Sequence, residues 1–137
     1  MGFLIDTCIW IDVERGVITP EAIEAITKKH PVYISTVIIA ELTYGMEISK
    51  NDTIRTERSI ALNRLRKIPA VFIDEMCGEI FGRITTSLKK KGKQSHYRIQ
   101  DIWLAAQAIQ NNFFFLTYNL KDFKDIDGLK LVEFKKD

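Results

Sequence analysis

Cysteine and histidine are scarce in this chain: Cys8, Cys77, His30 and His96 are the whole supply in 137 residues. Spread so thinly, they cannot assemble a zinc-type ligand set. Both cysteines lie in apolar-periodic segments, where a thiol reads as a small core residue rather than half of a bridge. The three prolines and seven glycines are scattered, which excludes a linker or a low-complexity tract. No apolar run approaches the roughly 18 residues of a membrane span. The start, Met1-Gly2-Phe3-Leu4-Ile5-Asp6, lacks the basic segment and cleavage site of a signal peptide, so the expectation is a soluble, cytoplasmic protein. An excess of one charge is missing as well. Lys and Arg number 20 against 18 Asp and Glu, leaving +2; a nucleic-acid role must therefore rest on local pattern rather than bulk charge.

What remains is the composition of a folded core, 46% hydrophobic and 28% charged. The length fits one domain, residues 1–137, able to bury about two-thirds of its unfolded surface without disulfides. Short apolar runs alternate with longer helical patterns. Phe3-Leu4-Ile5, Val32-Tyr33-Ile34, Val71-Phe72-Ile73, Phe113-Phe114-Phe115-Leu116 and Leu131-Val132-Glu133-Phe134 read as strands, the fourth buried on both faces and the fifth at an edge. Thr19 caps a helix with Pro20 at its first position, and Ser35 caps another carrying Val37, Ala40, Glu41 and Tyr44. Residues 51–68 form a charged helix with Ile54, Ala61, Leu65 and Ile68 inward, stopped by Pro69. Asp74 caps a helix in which Met76, Ile80, Ile84 and Leu88 recur beside Cys77 and Phe81, and Ile102, Ala105, Ala106 and Ile109 mark the last one. This alternation predicts an α/β fold with right-handed crossovers, a mostly parallel sheet and helices on both faces.

In such folds function gathers beyond the carboxyl ends of the strands, near a topological switch point. That rule directs attention to Asp6, to residues 35–41 and to residues 117–122. Taken alone, Asp6 reads as a cap of the following turn. Glu41 lies within Val37-Ile38-Ile39-Ala40-Glu41-Leu42, where it either rotates to solvent or needs a partner. Asp101 suits the first turn of a helix, and Asp122 by itself is loop chemistry. As a set, these acids sit on one side of one sheet and can converge. Clustered carboxylates repel unless a cation neutralises them, and all-oxygen ligands suit Mg²⁺ or Mn²⁺. A dehalogenase-type phosphatase needs a second aspartate where Cys8 stands, and a receiver domain needs an acid beside Asp6; neither is present.

The segments Leu4-Ile5-Asp6-Thr7, Ala40-Glu41-Leu42, Asp101-Ile102-Trp103-Leu104-Ala105-Ala106 and Leu116-Thr117-Tyr118-Asn119-Leu120-Lys121-Asp122-Phe123 resemble the motifs of PIN-domain nucleases. Their order, their spacing and the short chain are most similar to the VapC ribonuclease toxins of toxin–antitoxin pairs. The resemblance implies a three-layer α/β/α fold and a site dependent on Mg²⁺ or Mn²⁺ that hydrolyses RNA; attack by a metal-activated water would leave a 3′-hydroxyl and a 5′-phosphate. It implies that Asp6, Glu41 and Asp101 hold the metal and that Thr7 and Thr117 support them. Cys8 departs from the family's Asn or Ser, putting a hydrogen bond near Asp6 at risk. Asn119 stands where many members carry a fourth acid, so either Asn119 or Asp122 completes the set. The resemblance also implies a homodimer and a small VapB-like antitoxin whose segment lies across the apolar helices between residues 37 and 68.

The basic stretch from Lys89 to Arg98 has two readings. Cations favour a helix C-terminus, with Gly92 just past the end. Alternatively Lys93 and Arg98 meet RNA phosphates while His96 and Tyr97 stack on a base. The second reading is preferred because the stretch runs straight into Asp101. Arg55, Arg58, Arg64, Arg66 and Lys67 read as a solvated helix face. The competing function is a PIN-fold binding module without nuclease activity, which Cys8 and Asn119 keep open.

Overall fold

A computed structural model describes residues 1–135. In chain order the elements are β1 (Phe3–Ile5), α1 (Thr7–Glu14), α2 (Pro20–Thr27), β2 (Val32–Ser35), α3 (Thr36–Glu47), α4 (Asp52–Leu65), β3 (Ala70–Val71), α5 (Glu75–Lys90), α6 (Ile99–Gln110), β4 (Phe114–Thr117) and β5 (Lys130–Glu133). Single 3₁₀ turns cover Gln94–His96 and Leu120–Asp122. The five strands form one sheet in the order β3-β2-β1-β4-β5, parallel throughout. β1 lies at the centre and is buried along its whole length. From β1 the chain winds outward to β2 and β3, then crosses back to β4 on the other side of β1. The reversal makes a crevice between the carboxyl ends of β1 and β4, where ligands bind in open α/β sheets.

The helix starts follow local chemistry. Thr19, Ser35, Asn51 and Asp74 each cap a helix by accepting a backbone N–H through the side chain. Gly92, with φ +69°, ends α5 in the left-handed conformation that glycine permits. α5 packs along α6 and α3 along α4. A buried polar tie links these layers. The Ser35 hydroxyl donates to Gln107 Oε1 on α6, and Gln107 Nε2 donates to the Val71 carbonyl at 3.2 Å. That contact fixes α6, and hence Asp101, against the ends of β2 and β3.

Four details differ from the sequence expectation. α1 follows Asp6 where only a turn is expected. Its residues are apolar and β-branched on several sides, a weak local helix signal, and burial of Ile9 and Trp10 with the Asp6 cap supplies what propensity does not. In α4, Ile54 is 40% exposed, and Leu62 joins Leu65 as an inward residue, because α4 lies on α3 rather than on the sheet. Met76 is 59% exposed while Cys77, Ile84 and Leu88 form the buried stripe of α5. β3 pairs with β2 only at Ala70 and Val71, so the expected strand residues Phe72 and Ile73 run past the sheet edge into solvent.

Candidate active site

The backbone of β1 leads Asp6 into the switch-point crevice, where its N–H bonds the Leu116 carbonyl of β4 at 2.9 Å. The carboxylate is fixed from three sides. Oδ1 accepts the Thr7 N–H at 2.8 Å, Oδ2 accepts the Thr117 hydroxyl at 2.9 Å, and the Cys8 thiol donates to Oδ2 at 3.7 Å. The hydrogen bond that Cys8 put at risk is therefore retained in its weaker sulfur form. Thr117 Oγ1 in turn accepts the Asn119 N–H at 3.1 Å, which ties the loop after β4 to the same carboxylate.

Glu41 comes in from α3, with Oε1 3.5 Å from the Thr7 hydroxyl. Asp101 stands in the first turn of α6 and is gripped by Arg98: Nε lies 3.3 Å from Oδ2 and Nη2 lies 3.1 Å from Oδ1. The same Nη2 is 4.0 Å from Glu41 Oε2. Asp6, Glu41, Asp101, Asn119, Asp122 and Arg98 all line one cavity of about 280 Å³, together with Thr7 and Cys8.

The electrostatics follow from that crowding. Burial pushes the Asp6 carboxyl above its ordinary range; the Thr117 and Thr7 hydrogen bonds oppose the shift and the Asp101 charge adds to it. Burial raises Glu41 too, against the pull of the Arg98 guanidinium and with the push of Asp101 and Asp6. Cys8 is pushed up to about 12 by burial and the Asp6 charge, which keeps it a thiol donor. The Asp101 hydrogen bond holds Arg98 above its own range. Every candidate ligand is a hard oxygen donor, the chemistry of Mg²⁺ or Mn²⁺ rather than of zinc. Among the described residues no three acidic, histidine or cysteine side chains already stand as a metal-holding group, so an ion bound here would require the carboxylates to draw together.

The basic stretch divides. Arg98 lines the cavity, whereas Lys93, His96 and Tyr97 do not. His96 is exposed and Lys93 half-buried. Tyr97, expected as a free stacking surface, packs on the core. Its hydroxyl donates to Asp125 Oδ2 at 3.0 Å and accepts the Asp125 N–H at 3.1 Å. Lys91 reinforces this clasp by donating to the Asp125 carbonyl and to Asp127. Sequence reading missed both contacts, which span some 28 to 36 residues. It also missed the Arg98–Asp101 pair, although their three-residue spacing at a helix start is a readable signal.

A second, larger hollow of about 970 Å³ lies between α1, α3 and α4. Trp10, Ile11, Leu42, Ile54, Ile60 and Leu65 give it an apolar floor. Thr7, Ile11 and Glu41 line both hollows, so the groove runs into the acidic cavity. Arg55 and Arg58, expected to be merely solvated, donate to the Ser49 and Gly45 carbonyls at 2.7 Å and staple α4 to the end of α3.

A parallel α/β sheet with an acid-lined cavity at its switch point places the chain among α/β proteins whose site lies beyond the carboxyl ends of the strands. Residues 3–129 match the PIN domain. The chain is 31% identical over 115 residues to Ribonuclease VapC2 of Rickettsia felis, covering 83% of this chain and 82% of that protein. It is 29% identical over 135 residues to Ribonuclease VapC1 of the same organism, covering 96% of each. The chain belongs to the PIN domain family, among its VapC members. Its structure is similar to that of VapBC2 from Rickettsia felis bound to a DNA fragment from its promoter, with a TM-score of 0.86, 25% identity and coverage of 98% and 100%. VapBC-1 from nontypeable Haemophilus influenzae shares the fold at a TM-score of 0.81 and 24% identity, over 97% and 98% of the two chains.

Proposed function

We propose that this chain is a metal-dependent endoribonuclease, the toxin of a toxin–antitoxin pair, acting on RNA and neutralised by a small VapB-like antitoxin. The observation that carries the reading is the delivery of Asp6, Glu41 and Asp101 from three separate elements into one cavity at the sheet's switch point. These three would hold Mg²⁺ or Mn²⁺, with Asp122 or Asn119 completing the set. A bound divalent ion supplies Lewis-acid polarisation of the phosphate and a water of lowered pKa. The chain's own residues do the rest. Thr117 and Thr7 orient the Asp6 carboxylate, and Thr7 also reaches Glu41. Arg98 and Lys93 form the cationic approach for the RNA backbone, with His96 beside them to stack on a base, while Tyr97 holds the loop that carries them.

The groove that opens into the acidic cavity is the seat for an antitoxin segment, which would cover Glu41 and Thr7 from the side. Exposed Phe72, Ile73 and Met76 form an apolar patch of the kind a homodimer covers. The test is cleavage of RNA by the purified chain with Mg²⁺ or Mn²⁺ and its loss in EDTA. Undiminished cleavage in excess chelator refutes the metal-dependent reading. A well-folded chain that binds RNA yet cleaves none under any divalent ion leaves the binding module.

A further inference from the structure

We propose that Arg98 is the resident cation of the acidic cavity, seated where a divalent ion has to bind and displaced from Asp101 when that ion arrives. The inference rests on the metal-site reading and adds to it an internal competitor that sets metal affinity. Three observations carry it. The guanidinium fork engages both oxygens of Asp101 through Nε and Nη2 and reaches toward Glu41 with the same Nη2. Two of the three carboxylates expected to hold the ion therefore already share one positive charge. Second, the side chain of Arg98 is 64% exposed while that of Asp101 is 13% exposed, so the partner that can leave is the arginine. Third, Arg98 is the N-cap residue of α6 but makes no side-chain cap bond, so swinging it away undoes no part of the helix.

The physical argument is charge exchange. A divalent ion and a guanidinium on the same carboxylate repel at a few ångströms, and Arg98 cannot lose its proton to relieve the conflict. Either the ion binds more weakly while the arginine stays, or the arginine leaves. If the arginine leaves, the free energy of its pairing with Asp101 is subtracted from metal binding; if it stays, the ion–guanidinium repulsion is. A lysine at this position would keep the charge but not the planar two-point grip.

The experiment is a calorimetric titration of the full chain with Mn²⁺ at fixed ionic strength, for the natural protein, Arg98→Lys and Arg98→Gln. Melting in EDTA and in Mn²⁺ serves as the fold control. Affinity is expected to rise in that order, with Arg98→Gln about two- to fivefold tighter than the natural chain, the scale of a partly exposed ion pair. Arg98→Gln should also melt lower than the natural chain in EDTA and gain more on adding Mn²⁺. A merely structural role for Arg98 predicts the opposite order, because loss of the Asp101 support would loosen the site. Equal or weaker Mn²⁺ binding by Arg98→Gln overturns the proposal while the metal site stands. Binding by the variant alone supports the proposal in its strongest form. If none of the three proteins takes up Mn²⁺, the metal reading itself falls, and this proposal with it.

Discussion

Replacing Asp6 by asparagine separates the chemistry of this residue from its part in the fold. Asp6 is 9% exposed and accepts the Thr7 N–H and the Thr117 hydroxyl at 2.8 and 2.9 Å. Asparagine keeps an acceptor for Thr7. Its amide can donate to Thr117 Oγ1, which has a lone pair left after the Asn119 N–H. Alanine keeps neither contact. It removes a helix cap, a loss of about 1 kcal/mol, and strands a buried hydroxyl, a further ~1 kcal/mol. At about 3–4 °C per kcal/mol for a chain of this size, Asp6→Ala should melt about 6–8 °C below Asp6→Asn. The asparagine variant should melt above the natural chain in EDTA at pH 7, because burial and Asp101 make the charged Asp6 carboxyl a source of strain there. RNA cleavage should nevertheless fall by more than about 100-fold, the upper end of what a residue merely supporting a metal ligand produces. Differential scanning calorimetry beside a fluorogenic RNA assay gives both numbers. Wild-type cleavage by a well-folded Asp6→Asn protein refutes the catalytic reading. Equal melting of the asparagine and alanine variants refutes the hydrogen-bond accounting.

Stability in EDTA should rise as pH falls from 7 through the window just above the ordinary carboxylate range. The folded chain holds protons on Asp6 and Glu41 more tightly than the unfolded chain does, so ionisation opposes folding above that window and the penalty vanishes below it. A pH series of thermal melts checks this, and Asp6→Asn should flatten the slope. Tyr97→Phe removes both hydrogen bonds to Asp125 but keeps the ring in the core, so it should lower stability by about 1–2 kcal/mol. It should also cut RNA cleavage at unchanged Mn²⁺ affinity, because it loosens the approach rather than the ligands; unaltered cleavage kinetics would return Tyr97 to a purely structural role.

Most of the architecture was legible because local signals and tertiary demands agree. Thr19, Ser35, Asn51 and Asp74 cap where the apolar period begins, and the apolar runs that read as strands became the five parallel ones. The failures have one cause. α1, the outward turn of Ile54 and Met76, and the exposure of Phe72 all depend on which neighbour an element packs against, and periodicity within a segment carries no such information. The acids were legible because each interrupts an apolar element at the same edge of the sheet. Arg98 was legible only as a basic residue. Its pairing with Asp101 was written in the spacing, whereas the Tyr97–Asp125 clasp joins two loops through space and left no mark in either.

The three central carboxylates differ in how they are held, and the difference fits the proposed exchange of Arg98 for a divalent ion. Asp6 is satisfied by neutral donors on rigid elements: a backbone N–H of α1, a hydroxyl at the end of β4 and a thiol. None of these need move when an ion arrives, since a carboxylate has lone pairs to spare. Asp101 is satisfied by a charged donor on a largely exposed side chain. Glu41 lies between them, within reach of both Thr7 and Arg98. The deep acid is thus fixed by the sheet and the rim acid is guarded by an exchangeable charge. The Ser35–Gln107–Val71 tie would keep α6 in register during such an exchange. Had the donors been reversed, with a cation buried on Asp6 and a neutral hydroxyl on Asp101, releasing the cation would require opening the crevice between β1 and β4. The arrangement found here would confine that movement to one arginine side chain at the surface.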